Sequence, residues 1–281
     1  MKTIYLTDKL IDRYAKHLLE EERAQTTVQK YIRDVRVFQN FVQNAPLTKA
    51  ALIEWKRQLT ESHAPASVNS MLAAVNGLLT FLDRRDLTVK PLRIQKTLFL
   101  DEKKELSRQD YCRLVKAAER KENERLCLVM QTICATGIRV SELKYITVEA
   151  VYRGRAEIRN KGKLRVVFLA KKLCRLLEKY IRRQKKTAGV VFTTRTGRPL
   201  DRSNIWRDMK ALCESAGVEA AKVFPHNLRH LFARTYYSLQ KDMTKLADIL
   251  GHTSINTTRI YTAESGSTHA QQIGQLALVI T

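Results

Sequence analysis

Three short stretches of this chain carry residue types at spacings that could do chemistry on an anion. In Ala135–Leu143, which reads ATGIRVSEL, Gly137 closes one helix and Arg139 falls at the mouth of the next. A guanidinium placed there can grip an anion beside free backbone N–H groups. The plain alternative is a surface arginine paired with Glu142, three residues on. In Pro225–His230, PHNLRH, the proline opens a helix, and His226 and Arg229 stand at i and i+3 on one face. That face lies near the positive end of the helix and favours a phosphate. The plain alternative is an ordinary basic helix start, with His230 a packed supporting residue. In Leu250–Tyr261, LGHTSINTTRIY, Gly251 is a helix terminator, His252 lies in the loop, and Ser254 can cap the next short helix. Tyr261 follows nine residues after His252, but it is one of 10 tyrosines and gains meaning only beside the other two stretches.

Metal chemistry finds less support. His226 and His230 stand at i and i+4, a spacing used by zinc sites, yet no Glu follows His226 and no third ligand is evident. No metal is therefore expected. The five cysteines (Cys112, Cys127, Cys134, Cys174 and Cys213) are odd in number and contain no CxxC pair, so neither a zinc site nor a disulfide framework is suggested. Cys127 and Cys134 lie on an apolar helical segment and read as core. A cytosolic, reducing setting fits such cysteines.

The elements that must position these residues are mostly helices. Apolar residues at helical spacing predict helices over Leu6–Glu22, Thr26–Gln43, Thr48–Glu61 and Ala66–Asp83, with Thr26 or Thr27 capping the second and Pro65 opening the fourth. These form a compact bundle, residues 1–86. Residues 87–106, with Pro91 and the charged run Asp101–Glu105, suit an exposed linker. Residues 107–281 form a second domain, opened by a near capping box of Ser107 and Asp110 on a helix to about Arg120. Helices are expected at Arg125–Thr136, Val140–Tyr145, Lys171–Lys186, Ser203–Ser215, His226–Leu239, Met243–Leu250 and Ile255–Thr262. Strands are expected at Arg155–Arg159 and Leu164–Leu169, joined by the turn Asn160–Lys163, with another at Val190–Thr193. The tail His269–Ile280 carries Ile273, Leu276, Ala277 and Ile280 at helical spacing. The fold class is mainly α: a four-helix bundle, then a mostly helical domain with a small antiparallel sheet.

Composition narrows the partners. The 281 residues are 44% hydrophobic and 28% charged, enough to bury a core. No apolar run approaches the roughly 18 residues that span a bilayer, and charges interrupt the N-terminus, unlike a signal peptide. Ten Gly and five Pro argue against a disordered chain, a collagen and an all-β sandwich. The net charge is +23, with 16 basic and 10 acidic residues over 1–100 and 35 and 18 over 101–281. An excess spread along a folded chain in this way points to a polyanion, above all nucleic acid. A solvated basic surface or a ribosome-associated protein is the alternative.

Together the three stretches resemble the tyrosine recombinases of the phage integrase family in order, spacing and residue type, and the resemblance covers the whole chain. That family's pattern is an Arg, a hairpin Lys, His-x-x-Arg, a His or Trp, and then a Tyr. The resemblance implies that Tyr261 is the nucleophile and that Arg139 and Arg229 bind the scissile phosphate. It implies that His226 transfers a proton and contacts the phosphate, that His252 hydrogen-bonds it, and that Glu142 holds the first arginine, with His230 in support. The hairpin lysine is Lys161, in Lys161-Gly162, with Lys163 as the alternative. A chain starting almost directly at the core-binding helices resembles the smaller Xer-type and transposon-type members, without an arm-binding domain.

The activity implied is site-specific DNA recombination by transesterification through a 3′-phosphotyrosyl intermediate, leading to integration, excision, inversion or resolution. Two guanidiniums can neutralise the transition state where a metal otherwise would. A tyrosine hydroxyl, protonated at neutral pH, needs a base or a strongly cationic site, and the leaving 5′-oxygen needs an acid, for which a hairpin lysine is suited. No cofactor is expected. The expected partners are double-stranded DNA and three further copies in a homotetramer on DNA, with a monomer when free, accessory DNA-bending or directionality proteins, and no membrane. The tail from His269 is expected to pack on a neighbouring subunit, and the location is expected to be cytoplasmic. A type IB topoisomerase shares this chemistry, but GHTSINTTRIYT favours the recombinase pattern. A DNA-binding protein without activity has no need to align Tyr261 with two arginine motifs.

Overall fold

In the computed structural model of the protein the described residues are 4–94, 104–160, 163–252, 254–261 and 275, with the backbone alone for 160 and 163. The chain divides into two compact units, Met1–Lys96 and Thr97–Thr281.

Four helices build the first unit: α1 (Asp8–Glu20), α2 (Gln25–Val42), α3 (Lys49–Ser62) and α4 (Pro65–Phe81). Thr7 and Thr48 cap α1 and α3 by accepting from backbone N–H groups, and Pro65 opens α4. The caps expected for α2 are not used: Thr26 and Thr27 lie inside the helix, and Ala24 stands at its N-cap without a side-chain bond. Ile11, Tyr14, Val35, Phe38, Trp55, Leu72 and Leu78 meet in the core, with the Phe38 and Trp55 rings 4.8 Å apart. Past α4 the chain folds back on the bundle, so the stretch expected as an exposed linker from residue 87 instead begins packed on it, with Leu87 and Val89 buried in its core. Asn76 bonds both the N–H and the C=O of Val89, and Asn69 does the same for Leu92.

The second unit opens with α5 (Arg108–Arg120), whose Ser107–Asp110 capping box forms as expected. The apolar α6 (Glu124–Thr136) runs through the core and packs on α5, on α8 (Lys171–Arg183), on α9 (Arg202–Lys210) and on α11 (Pro225–Gln240). Between α6 and α8 lie a 3₁₀ turn, Val140–Tyr145, then α7 (Val148–Tyr152) and the hairpin of β1 (Arg155–Asn160) and β2 (Lys163–Phe168). The strands are antiparallel, with Ala156 opposite Val167 and Ile158 opposite Arg165. Ala156, Ile158 and Val167 face the core, while Leu164, Val166 and Phe168 face out. Pairing continues to Asn160 and Lys163, so the connection shortens from the expected four residues to Lys161 and Gly162, which lie outside the described residues.

Two expected elements differ. Val190–Thr193 makes only isolated bridges, Thr147 to Val190 and Thr193 to Pro199, rather than a strand of the sheet. The helix expected over Ser203–Ser215 breaks after Lys210 and resumes as the short α10 (Cys213–Ala216), which Gly217 ends in the left-handed region. The chain then runs through α11, α12 (Met243–Leu250) and α13 (Ile255–Arg259). The tail helix expected at His269–Ile280 lies outside the described residues, Gln275 excepted. All five cysteines are free, and among the described residues no helix is long and apolar enough to cross a membrane.

Candidate active site

The site gathers where four chain segments end beside the carboxylate of Glu142, which is 2% exposed. Gly137 stops α6 with φ +66°, and a Cβ there would strike the Phe232 ring, so the position admits only glycine. The chain turns at once into the 3₁₀ segment with Arg139 at its N-cap. The Arg139 backbone N–H donates to Glu142 Oε2 at 2.8 Å and its Nη1 to Oε1 at 3.0 Å. From β2, Arg165 donates through Nη2 to Glu142 Oε2 at 2.7 Å and through Nη1 to the carbonyl of Leu250. From the second turn of α11 comes Arg229, 1% exposed. It donates through Nη1 to Gly137 O at 2.6 Å and through Nη2 to Leu250 O at 2.8 Å, and its Nη1 stands 4.0 Å from Glu142 Oε2.

One carboxylate thus faces three guanidiniums, and the cluster keeps an excess of positive charge out of bulk water. Burial, and then Arg139, pull Arg229 down to about 10, while Tyr261 and Glu142 act in the other direction. Burial also lowers Arg165, against the pull of Glu142. A site of this kind gains by admitting an anion.

Gly251 ends α12 with φ +65°, and a Cβ there would collide with the Arg165 guanidinium. The close approach carries His252 onto Arg229: its Nε2 lies 2.9 Å from Arg229 Nη2, and its Nδ1 lies 2.8 Å from Thr258 Oγ1. Because an arginine only donates, Nε2 is the acceptor and Nδ1 carries the proton, a tautomer assigned from these partners. Burial, then Arg229, Arg139 and Arg165, push His252 down to about 4. Thr258, fully buried, sits on α13, and the Tyr261 N–H closes the segment on Thr258 O at 2.9 Å.

Tyr261 is 5% exposed and packs among Ala233, Leu246 and Leu250. Its ring lies near-parallel to His252 at 5.6 Å, edge-on to His230 at 4.6 Å, and 6.4 Å from His226. His230 Nδ1 lies 3.3 Å from Glu105 Oε1, and Glu105 also pairs with Arg234 at 3.2 Å. Burial alone would raise the Glu105 carboxyl, but His230 and Arg234 outweigh it and hold it low. His226 faces solvent at the mouth of a pocket shared with Arg139, Ser141, Arg202 and Arg229. Partial burial there, then His230, Arg229, Arg202 and Arg139, push it down to about 4.

Of the residues expected from sequence, Arg139, Glu142, His226, Arg229, His230, His252 and Tyr261 come together. Lys161 lies outside the described residues, and Lys163 opens β2 by its backbone alone. Among the described residues no group of His, Cys, Asp or Glu could hold a metal ion. Sequence reasoning missed Arg165, Thr258, Glu105 and Arg202. Arg165 shares its strand face with Val167, and that parity was the available signal. Thr258 had none beyond its place between Ser254 and Tyr261.

Residues 104–267 match the phage integrase family, and residues 11–86 match the SAM-like N-terminal domain of phage integrases. Tyrosine recombinase XerD of Vibrio cholerae serotype O1 is 27% identical over 263 residues, covering 86% of this chain and 87% of that one. XerH site-specific recombinase bound to difH substrate superposes with TM-score 0.71 at 20% identity, over 95% of this chain and 84% of that one. A lambda integrase tetramer bound to a Holliday junction gives TM-score 0.74 at 19% identity, over 92% and 78%.

Both imidazoles should be neutral at physiological pH. In an NMR titration of the free protein, the ring carbons of His226 and His252 are expected to move near pH 4. The unfolded chain takes up these protons near pH 6.5, so folding stability should fall as pH drops from about 6.5 to about 4. A midpoint for either ring near the free-imidazole value would contradict the packing described.

Proposed function

The chain belongs to the phage integrase family, as a tyrosine recombinase that cleaves and rejoins DNA in site-specific recombination, and from this premise we propose how its residues divide the reaction. Tyr261 Oη attacks the scissile phosphorus as its phenolic proton passes to a neutral imidazole, a role this reading gives to His226. The P–O5′ bond breaks, the 3′-phosphate stays on Tyr261, and the 5′-oxygen leaves with a proton from Lys161. The phosphotyrosyl bond conserves the energy of the phosphodiester, so the reverse attack by a 5′-hydroxyl rejoins DNA without a nucleotide cofactor. No metal is needed in this scheme.

Arg139 and Arg229 bind the non-bridging oxygens, where negative charge grows in the transition state. The observation that carries this reading is that both are fixed before any substrate arrives: Glu142 holds Arg139, while Gly137 O and Leu250 O hold Arg229, whose Nη1 also stands 4.0 Å from Glu142. An arriving phosphate replaces His252 as an acceptor for Arg229, and the ring becomes free to turn a donor toward the same phosphate. Residues 1–86 serve as the core-binding domain and 107–281 as the catalytic domain, joined by 87–106, and the two clamp the duplex. A reaction that exchanges four strands needs four such sites, so the working form is a tetramer on DNA with the tail from His269 docked on a neighbour. It acts on DNA in the cytoplasm. Phosphate contacts make binding steeply salt-dependent.

A nicked suicide substrate resolved on a denaturing gel tests these roles. Wild type should form a covalent protein–DNA band, in chelator as well as in a divalent ion, and Tyr261→Phe should bind the half-site but form none. A Tyr261→Phe band, or a band that vanishes in chelator, would sink the assignment. Lys161→Ala should cleave about 10²-fold or more slowly, and sulfur at the 5′ bridging position should restore the rate because a thiolate leaves without a proton. Rescue of Lys163→Ala in place of Lys161→Ala would move the general acid to Lys163.

A further inference from the structure

The pocket in front of the catalytic cluster holds one cation that the roles above leave unused. Arg202, in the first turn of α9, is exposed and lines the same pocket as Arg139, His226 and Arg229. Its charge reaches the His226 ring and helps depress it. Unlike its neighbours it is uncommitted. Glu142 braces Arg139, Arg165 and Arg229, whereas no carboxylate among the described residues pairs with Arg202. The nearby Asp201 carboxylate is occupied, accepting from the Asn204 backbone N–H as the cap of α9.

We propose that Arg202 is a substrate-binding residue that grips a phosphate of the cleaved strand next to the scissile one. The inference rests on the recombinase reading of the site. An exposed guanidinium with no carboxylate partner among the described residues, beside two guanidiniums already held by Glu142, repels them until an anion bridges the gap. Duplex DNA supplies that anion, because a strand presents a phosphate about every 3.4 Å along the axis. A surface that seats one phosphate therefore has the next one beside it. Arg139 and Arg229 converge from the α6 end and α11, each beside the Glu142 carboxylate, while Arg202 enters from a different helix. Arg202 then sets how the strand lies in the pocket, so its loss should weaken ground-state binding more than the chemical step.

Half-site binding across a salt series, combined with single neutral methylphosphonates placed at each phosphate flanking the cleavage point, tests this. Arg202→Ala is expected to weaken binding about ten-fold, the loss of a hydrogen bond to a charged group, and to reduce the slope of log affinity on log salt by about one. Arg202→Lys should restore most of both. Wild type should be weakened by a methylphosphonate at one flanking position, and Arg202→Ala should be indifferent to that same substitution. Unchanged affinity and slope, or a variant that remains as sensitive as wild type at every flanking phosphate, would overturn the proposal. The covalent band on the nicked substrate separates this outcome from failure of the recombinase reading. Arg202→Ala should still form the band at saturating DNA, whereas its absence in wild type would remove the premise.

Discussion

One buried carboxylate among three guanidiniums organises the catalytic unit. Glu142 bonds Arg139 and Arg165 directly and stands 4.0 Å from Arg229. Burying charge is costly, and it is tolerated only where partners and further hydrogen bonds are in place. Here the backbone carbonyls of Gly137 and Leu250 accept from the Nη donors that Glu142 leaves, while the buried Nε of Arg165 and of Arg229 find no partner among the described residues. Taking the carboxylate away would leave the buried Arg229 and the partly buried Arg139 and Arg165 without their counter-charge, a change on the order of 3–5 kcal/mol where a buried pair is broken. The same imbalance is what makes the site an anion trap. Three positive charges against one negative charge are stable enough to fold and still short of an anion.

The fold delivers its elements to this point. The end of α6 at Gly137, the inward face of β2, the second turn of α11 and the end of α12 at Gly251 all contribute a group to the cluster. Two glycines permit the convergence, since side chains at either would strike Phe232 or Arg165. Leu250 O accepts from both Arg165 and Arg229, so the segment leading to His252 and Tyr261 is tied to the same cluster as the arginines proposed to hold the scissile phosphate. Catalysis by preorganised charge depends on such rigidity, because dipoles that need not reorient cost nothing at the moment of reaction.

Much of this was legible in the sequence. Helix periodicity located most helices of both units, though not the short α7, and the trio of motifs named seven side chains that the fold brings together. The failures have local causes. β2 reads LRVVF, and its apolar residues Leu164, Val166 and Phe168 proved to face outward while Arg165 points in, inverting the usual hydrophobic pattern. Parity with Val167 hints at an inward Arg165, and the pairing register settles it by setting Arg165 opposite the buried Ile158. The continuous helix expected over Ser203–Ser215 lacked a Gly or Pro to mark its break at Ala211. Arg202 looked like any exposed arginine until α9 was seen to line the pocket, and the docking of Val89 and Leu92 by Asn76 and Asn69 has no periodic signature at all.

The central claim is that Glu142 acts by holding guanidiniums where phosphate charge develops, beyond supporting the fold. Single-turnover formation of the covalent complex by wild type and by folded Glu142→Gln, on substrates with a normal or a neutral methylphosphonate scissile group, tests it directly. The account predicts a loss of about 10²-fold on the normal phosphodiester, the scale of losing one donor to a developing oxyanion, and a much smaller loss on the methylphosphonate, which has less charge to hold. An equal fractional loss on both substrates would contradict it.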